Sequence, residues 1–146
     1  MSTDISNKDF NFLQIALNEA IKSKMLMKHG CVAVLNGVVL ATGYNNYRTY
    51  SRDKLLNHTT FACHAEVDVL RKIIKQHHKK NKVVLYIVRI NNSGLFMNSK
   101  PCLNCIKLIK KYNIKKIVYS CSKTEFVKCR PIDCKTDHLS YGTRCL

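Results

Sequence analysis

The spacing of hydrophobic residues in the first third of the chain predicts a helix followed by a hairpin. From residue 8 to residue 27, apolar and small side chains recur at steps of three and four, as on one face of a helix. Asp9 near the start and lysines near the end suit the helix dipole. Two β-branched runs then flank Asn36-Gly37, which tolerates positive φ at both positions of a tight turn. We therefore predict a two-residue hairpin over residues 31–42.

The middle of the chain alternates between helical and strand patterns. Apolar faces predict helices over residues 64–77 and 102–112, and apolar runs predict strands over residues 83–90 and 114–120. Asn91 to Gly94 predicts a turn. Strand, helix and strand in succession form a crossover unit, so we expect these two strands to be parallel. The whole order predicts one α/β domain over residues 1–146, with three layers, α/β/α, around a mixed central sheet.

The ends and the cysteine content indicate the class of protein. The first residues are polar and carry both charge signs, unlike a secretory signal, and no apolar run is long enough to span a membrane. We therefore expect a soluble, intracellular, cytoplasmic protein with no membrane partner. In a reducing compartment, eight cysteines are more typical of metal ligands or catalytic thiols than of disulfides.

The charge is strongly basic, with 25 Lys and Arg against 9 acidic residues and a net charge of +16. No acidic residue occurs between Asp68 and Glu125. Such a field attracts polyanions or phosphorylated small molecules. An A- and T-rich genome would also produce this surplus, since Lys far outnumbers Arg and Asn and Ile are abundant. Charge alone therefore favours an anionic ligand only weakly.

Two short motifs, His64-Ala65-Glu66 and Pro101-Cys102-Leu-Asn-Cys105, carry the chemistry. Each falls at the predicted start of a helix, where unpaired amides favour a thiolate. One imidazole and two thiolates give zinc three protein ligands and leave a fourth position for water. Zinc lowers the pKa of that water from about 15.7 toward 7, and Glu66 can then accept its proton. We expect a catalytic zinc site.

These motifs resemble those of the cytidine and deoxycytidylate deaminase superfamily, over about residues 31–120. The segments 62–66 and 101–109 are most similar to the deoxycytidylate deaminase branch. The resemblance implies a cytidine deaminase-like fold, Zn²⁺ as cofactor, a self-associating chain, and Glu66 as proton shuttle with three metal ligands, His64, Cys102 and Cys105. We expect substrate contacts from Asn45, in a family-like Gly-Tyr-Asn segment, and from Ala65 and Ser99. The chain departs from related branches at Asp68 and Lys100 and in its long interval between the two motifs.

Other candidate ligands are ambiguous in the sequence. The remaining histidines are more typical of surface or loop residues than of ligands: His29, His58, His77, His78 and His138. Four late cysteines fit free thiols better than a second zinc site: Cys121, Cys129, Cys134 and Cys145. Cys63 is expected to serve packing. Tyr and Arg residues of the loop after Tyr44, including Arg48 and Arg52, could stack on a base, hold a phosphate or have no special role.

The sequence is compatible with three functions. The first is hydrolytic deamination of a cytosine nucleotide, dCMP to dUMP, with release of ammonia. The second is deamination of cytosine or adenine in single-stranded DNA or RNA, with residues 71–123 following the nucleic-acid backbone. The third is a zinc-stabilised binding module without turnover. We expect an anionic nucleotide or nucleic-acid substrate and a homo-oligomer.

Overall fold

The first helix, α1, covers Asn7–Ile21 in a computed structural model that describes residues 5–47, 63–76 and 80–134. Its start is a capping box, in which the Ser6 side chain accepts from the Asp9 amide and the Asp9 carboxylate accepts from the Ser6 amide. The predicted end at residue 27 is wrong. Ser23 ends the helical path because its buried hydroxyl donates to the Asn45 carbonyl and accepts from the Met25 amide.

A six-stranded mixed sheet forms the centre of the described part of the chain. Its strands are β1 (Lys28–Leu35), β2 (Val38–Tyr44), β3 (Val83–Ile90), β4 (Phe96–Met97), β5 (Lys116–Ser120) and β6 (Phe126–Cys129). They lie in the order β2-β1-β3-β5-β6, with β4 paired to β3. Strands β3 and β5 are parallel and the other pairs are antiparallel. The predicted crossover unit is therefore confirmed, with helix α3 (Leu103–Lys111) between its strands.

The predicted hairpin is also confirmed. Strands β1 and β2 are joined by Asn36 and Gly37, whose φ angles are 50° and 80°. Both angles lie in the left-handed region that a two-residue hairpin turn requires. The sequence patterns did not predict β4 or β6, nor the short 3-10 helices at Lys80–Lys82 and Pro131–Asp133.

Two apolar cores on opposite faces of the sheet create the three layers. Helix α1 packs on one face with Val32, Val34, Tyr86 and Val88. Helices α2 (Ala65–Ile74) and α3 pack on the other face. This arrangement confirms the predicted α/β/α fold. None of the helices in the described ranges has both the length and the apolar character needed to cross a bilayer.

Candidate active site

The two sequence motifs lie at the amino ends of helices α2 and α3, as predicted. His64 is the N-cap residue of α2, and Cys102 is the N-cap residue of α3. Both helices pack on the same face of the sheet, so their first turns are brought together there. Segments that are 36 residues apart in the sequence, counted from Glu66 to Cys102, thus meet at one place in the fold.

Three side chains from these helix starts form a compact group that can hold a metal ion. The Nδ1 atom of His64 lies 3.2 Å from the Cys105 sulfur and 3.6 Å from the Cys102 sulfur. The ligand atoms of all three residues lie within 4.8 Å of one another. This group is the one that meets that criterion among the described residues.

The donor set fits zinc. At usual bond lengths, a tetrahedral zinc ion separates a nitrogen ligand from a sulfur ligand by about 3.6 Å. The two His64 to cysteine distances differ from this value by a few tenths of an ångström at most. Cys105 and Cys102 are both buried, whereas His64 is only partly so, which leaves one side of the group approachable. Three soft and borderline donors with an open side are typical of a catalytic zinc site.

The two thiols have opposite acidities. The Cys105 thiol donates to the Cys102 sulfur, which lowers the pKa of Cys102 to about 3 and raises the pKa of Cys105 well above its usual value. Burial alone would lower the pKa of His64, but its hydrogen bond with the Cys102 thiolate and the charge of Glu66 raise it. At neutral pH the group therefore contains a thiolate, at Cys102, that can bind a metal cation.

Glu66 faces the same group. Its side chain is buried, with 3% of its surface exposed, and its carboxylate lies within hydrogen-bonding reach of the Cys105 sulfur. Burial raises the pKa of this carboxyl, partly opposed by the charge of His64. A carboxyl with a raised pKa next to a metal-binding group is suited to accepting and releasing a proton near neutral pH.

Asn45 anchors the start of β1 beside the site. Its Oδ1 accepts from the His29 amide at 2.9 Å, and its Nδ2 donates to the Met27 carbonyl at 2.6 Å. Its own amide donates to the His29 carbonyl at 3.2 Å. Ala65, which lies between His64 and Glu66 in the sequence, is fully buried. Direct contact of Asn45 or Ala65 with a substrate stays a prediction.

Ser99 is held within a network at the ends of the strands. Its amide donates to the Ser120 carbonyl at 2.8 Å, and its hydroxyl accepts from the Ser120 hydroxyl at 2.8 Å. The Ser99 hydroxyl also lies 3.0 Å from the Ile87 and Ser120 carbonyls, and its one hydrogen can be donated to either. These bonds fix the chain just before Pro101. A contact between Ser99 and the substrate stays a prediction.

Two polar residues near the metal-binding group were missed by the sequence interpretation. His29 is partly buried and lies within β1, opposite Arg89 of β3, and not in a loop. Burial and the charges of His64 and Arg89 lower the pKa of His29 to about 4, with Cys102 acting in the opposite sense. The His29 carbonyl also accepts from the Asn45 amide, and Asn46 pairs with Cys63, so His29 lies near the start of α2.

The other cysteines that the structure describes lie outside the metal-binding group, and several further candidates lie outside the described residues. Cys129 and Cys134 are buried and hydrogen-bonded to each other, and in the described ranges neither these nor Cys121 belongs to a metal-binding group. Cys63 is buried and its backbone pairs with Asn46. Several candidates lie outside the described residues: Arg48, Arg52, His58, His77, His78, His138 and Cys145.

Comparison with solved structures identifies similar folds. The dCMP deaminase of cyanophage S-TIM5 in its apo form has 25% sequence identity, with 75% of this chain and 79% of that chain covered and a TM-score of 0.56. The same enzyme in complex with dCMP and dUMP has 24% identity, coverage of 80% and 83%, and a TM-score of 0.57. The cytidine deaminase of Burkholderia pseudomallei has 16% identity, coverage of 89% and 98%, and a TM-score of 0.65.

A family model agrees with these structures. No curated protein matches the chain with significance. The model of the cytidine and deoxycytidylate deaminase zinc-binding region matches residues 6–121, which extends the resemblance seen in the sequence toward the amino end. This match includes both motifs and most of the chain, and the donor group between α2 and α3 fits zinc. The protein therefore belongs to the cytidine and deoxycytidylate deaminase family and is a zinc-dependent deaminase.

Proposed function

We propose that the protein deaminates a cytosine nucleotide, converting dCMP to dUMP and releasing ammonia. The observation that carries this proposal is the buried Glu66 carboxylate, which faces the group formed by His64, Cys102 and Cys105. The family acts on nucleosides and nucleotides, and the cyanophage enzyme of 25% identity is a dCMP deaminase. The net charge of +16 favours a phosphorylated substrate over an uncharged nucleoside.

In this proposal, three side chains hold zinc and one moves protons. His64, through Nδ1, and the sulfurs of Cys102 and Cys105 are the metal ligands. Zinc, when bound, supplies a Lewis acid that makes water a nucleophile near neutral pH. Glu66 accepts a proton from the attacking water, delivers it to the ring nitrogen of cytosine, and assists protonation of the departing amine. Water adds at the carbon that carries the amine, and ammonia leaves.

The Glu66→Gln variant tests this assignment of roles. We expect it to lose about 10²- to 10⁴-fold in turnover, because a positioned carboxylate contributes that much to proton transfer. Its zinc content, measured by metal analysis, should match that of the wild type, because Glu66 is not a ligand in the proposal. Glu125→Gln, which changes an exposed carboxylate, is the control. Full activity of Glu66→Gln would contradict the proposed role.

The substrate class is measured by ammonia release from a panel. The panel contains dCMP, dCTP, cytidine, deoxycytidine, guanine and short single-stranded oligonucleotides. We expect activity on dCMP. The alternative, a nucleic-acid deaminase, is favoured by the exposed lysines of α3, Lys107, Lys110 and Lys111. It predicts activity on oligonucleotides alone, with binding that weakens steeply as salt increases.

The domain organisation and the oligomeric state of the protein are also proposals. We propose that residues 1–146 form a single deaminase domain and that the domain self-associates. Light scattering during size-exclusion chromatography measures the mass directly. A particle of 16.8 kDa, the mass of one chain, would exclude self-association under the conditions used.

A further inference from the structure

Arg89 and His29 form a cross-strand pair at the end of the sheet that bears the metal-binding group. They are direct partners in the antiparallel register of β3 and β1. Side chains on a strand alternate between its faces. Leu85 and Ile87 of β3 pack in the core beneath α2 and α3, as do Cys31 and Ala33 of β1. Arg89 and His29 have the same parity and therefore lie on the face that carries the metal-binding group.

The Arg89 guanidinium has no anionic partner in the part of the chain that the structure describes. The ion pairs there involve other cations: Lys22, Arg71, Lys72, Lys128 and Arg130. The bond between Arg89 and the Ser120 hydroxyl is made by the backbone amide of Arg89, which donates at 3.3 Å. Arg89 is half-buried. A guanidinium has five N–H donors and a full positive charge, and water solvates a half-buried guanidinium only in part. A bound anion would accept hydrogen bonds from the donors and balance the charge.

The position of Arg89 near the reacting centre indicates that the anion is part of the substrate. The carbonyl of its cross-strand partner His29 accepts from the Asn45 amide at 3.2 Å, and the next residue, Asn46, pairs with Cys63, the neighbour of His64 in the chain. Arg89 therefore lies one strand away from the reacting centre. The pair also lies at the root of the β3–β4 hairpin, since Arg89 is opposite Met97. This hairpin accounts for part of the long interval between the two sequence motifs.

We propose that Arg89, with His29 beside it, binds the phosphate of the nucleotide substrate. The inference rests on the proposed deamination of a cytosine nucleotide. Cytosine and deoxyribose are uncharged near neutral pH, so the phosphate is the one anionic part of such a substrate. A guanidinium fork matches two phosphate oxygens, and the His29 ring offers an additional polar group on the adjacent strand. Arg89 thereby selects a nucleotide over a nucleoside.

The test compares two substrates that differ only in the phosphate. In Arg89→Gln, we expect kcat/KM for dCMP to fall about 10- to 100-fold, the usual range for losing a charged hydrogen bond. The kcat/KM value for deoxycytidine should stay unchanged. Arg89→Lys keeps the charge but not the fork and should lose less. Lys82→Gln is the matched control, because this exposed lysine precedes β3 at the opposite end of the strand.

A second cationic residue, Lys24, is the competing candidate for binding the phosphate. Lys24 lines a cavity of about 170 Å³ together with Asn45. If Lys24→Gln carries the selective loss on dCMP and Arg89→Gln does not, the inference is overturned. Equal loss on dCMP and deoxycytidine in Arg89→Gln overturns it as well, since that result indicates a role in the base pocket or in folding. Melting temperature and zinc content identify a folding defect.

Binding without turnover separates this inference from the proposed function. Calorimetry of dUMP and deoxyuridine requires no deamination. A wild-type protein that binds dUMP through Arg89 but fails to deaminate dCMP would refute the proposed function and keep the phosphate site. A protein that deaminates dCMP with full efficiency after Arg89→Gln would refute the phosphate site and keep the function. A wild-type protein that binds both ligands equally would also overturn the phosphate site.

Discussion

Asp9 is a buried carboxylate that joins three elements. Its Oδ1 accepts from the Tyr86 hydroxyl at 2.7 Å, and its Oδ2 lies 2.5 Å from the Lys128 ammonium. It also closes the capping box of α1. Burial by itself would raise the pKa of Asp9, but the hydrogen bonds with Lys128 and Tyr86 outweigh burial, so the pKa lies below its usual value. The charged carboxylate thus holds α1 against β3 and β6.

The Asp9→Asn variant should lose stability at neutral pH. An amide cannot balance Lys128 and weakens the bond from Tyr86, so we expect the free energy of unfolding to fall by about 1–3 kcal/mol. Because the folded pKa of Asp9 is depressed, its contribution is present above the unfolded pKa of about 3.9 and is lost as the pH falls through the folded pKa. The difference between variant and wild type should therefore shrink in acid. Urea unfolding at several pH values measures it, with Glu125→Gln as the control.

Some residues of the site could be predicted from the sequence alone, and others could not. His64, Glu66, Cys102 and Cys105 occur in two short motifs whose spacing reflects local helix geometry, so they could be recognised without the fold. Arg89 could not. Its place depends on which face of the sheet receives α2 and α3, and that choice is made by packing between distant segments. One sequence feature could have pointed to Arg89: it is a charged residue in an apolar strand, two positions after Ile87 and four after Leu85, and so on the same face as both.

The elements show the same division between local and distant causes. Strand β3 and the β1–β2 hairpin were predicted because β-branched runs and the Asn-Gly turn are local signals. Strand β4 has two residues, and β6 exists because it pairs with β5, so neither has a pattern of its own. The end of α1 was placed too late, since the buried Ser23 hydroxyl ends the helix through a bond to Asn45.

Gly30 allows α1 to approach β1 closely. A Cβ atom at this position would lie 1.9 Å from the Ala16 carbonyl oxygen and 2.7 Å from the Ala20 nitrogen. Both are backbone atoms of a helix and cannot move aside independently. We expect Gly30→Ala to reduce the free energy of unfolding by about 3 kcal/mol or more, because α1 must shift away from its core.

The same substitution at Gly94 is the control for Gly30→Ala. A Cβ atom at Gly94 meets nothing within 4 Å, although its φ of +79° imposes a cost of about 1–2 kcal/mol on alanine. Chemical unfolding of both variants gives the comparison. Equal destabilisation of Gly30→Ala and Gly94→Ala would show that α1 does not depend on the close approach.

At the scale of the molecule, the metal-binding group connects two helices that otherwise share few contacts across the site. His64 belongs to the start of α2, whereas Cys102 and Cys105 belong to the start of α3. The sheet supports both helices from below, through residues such as Leu85 and Ile87. A bound zinc ion therefore contributes to folding as well as to chemistry, because the group does not exist in the unfolded chain.

Removing zinc should lower the stability of the whole domain without destroying the fold. At a zinc concentration of about 100 to 1,000 times Kd, binding adds about 3–4 kcal/mol, which corresponds to a fall in Tm of about 10 °C on removal. The two cores on either side of the sheet should preserve secondary structure in the metal-free protein. Calorimetry before and after chelation, with zinc measured in each sample, tests this expectation.

The Cys105→Ser variant supplies the matching genetic test of the same prediction. It removes one sulfur of the group while changing little volume, so its Tm should resemble that of chelated wild type and should no longer respond to added zinc. Cys121→Ser, which changes a partly exposed cysteine outside the group, should keep the full response. A wild-type Tm that stays constant after measured loss of zinc would contradict this role, since it would mean that the sheet alone fixes the starts of α2 and α3.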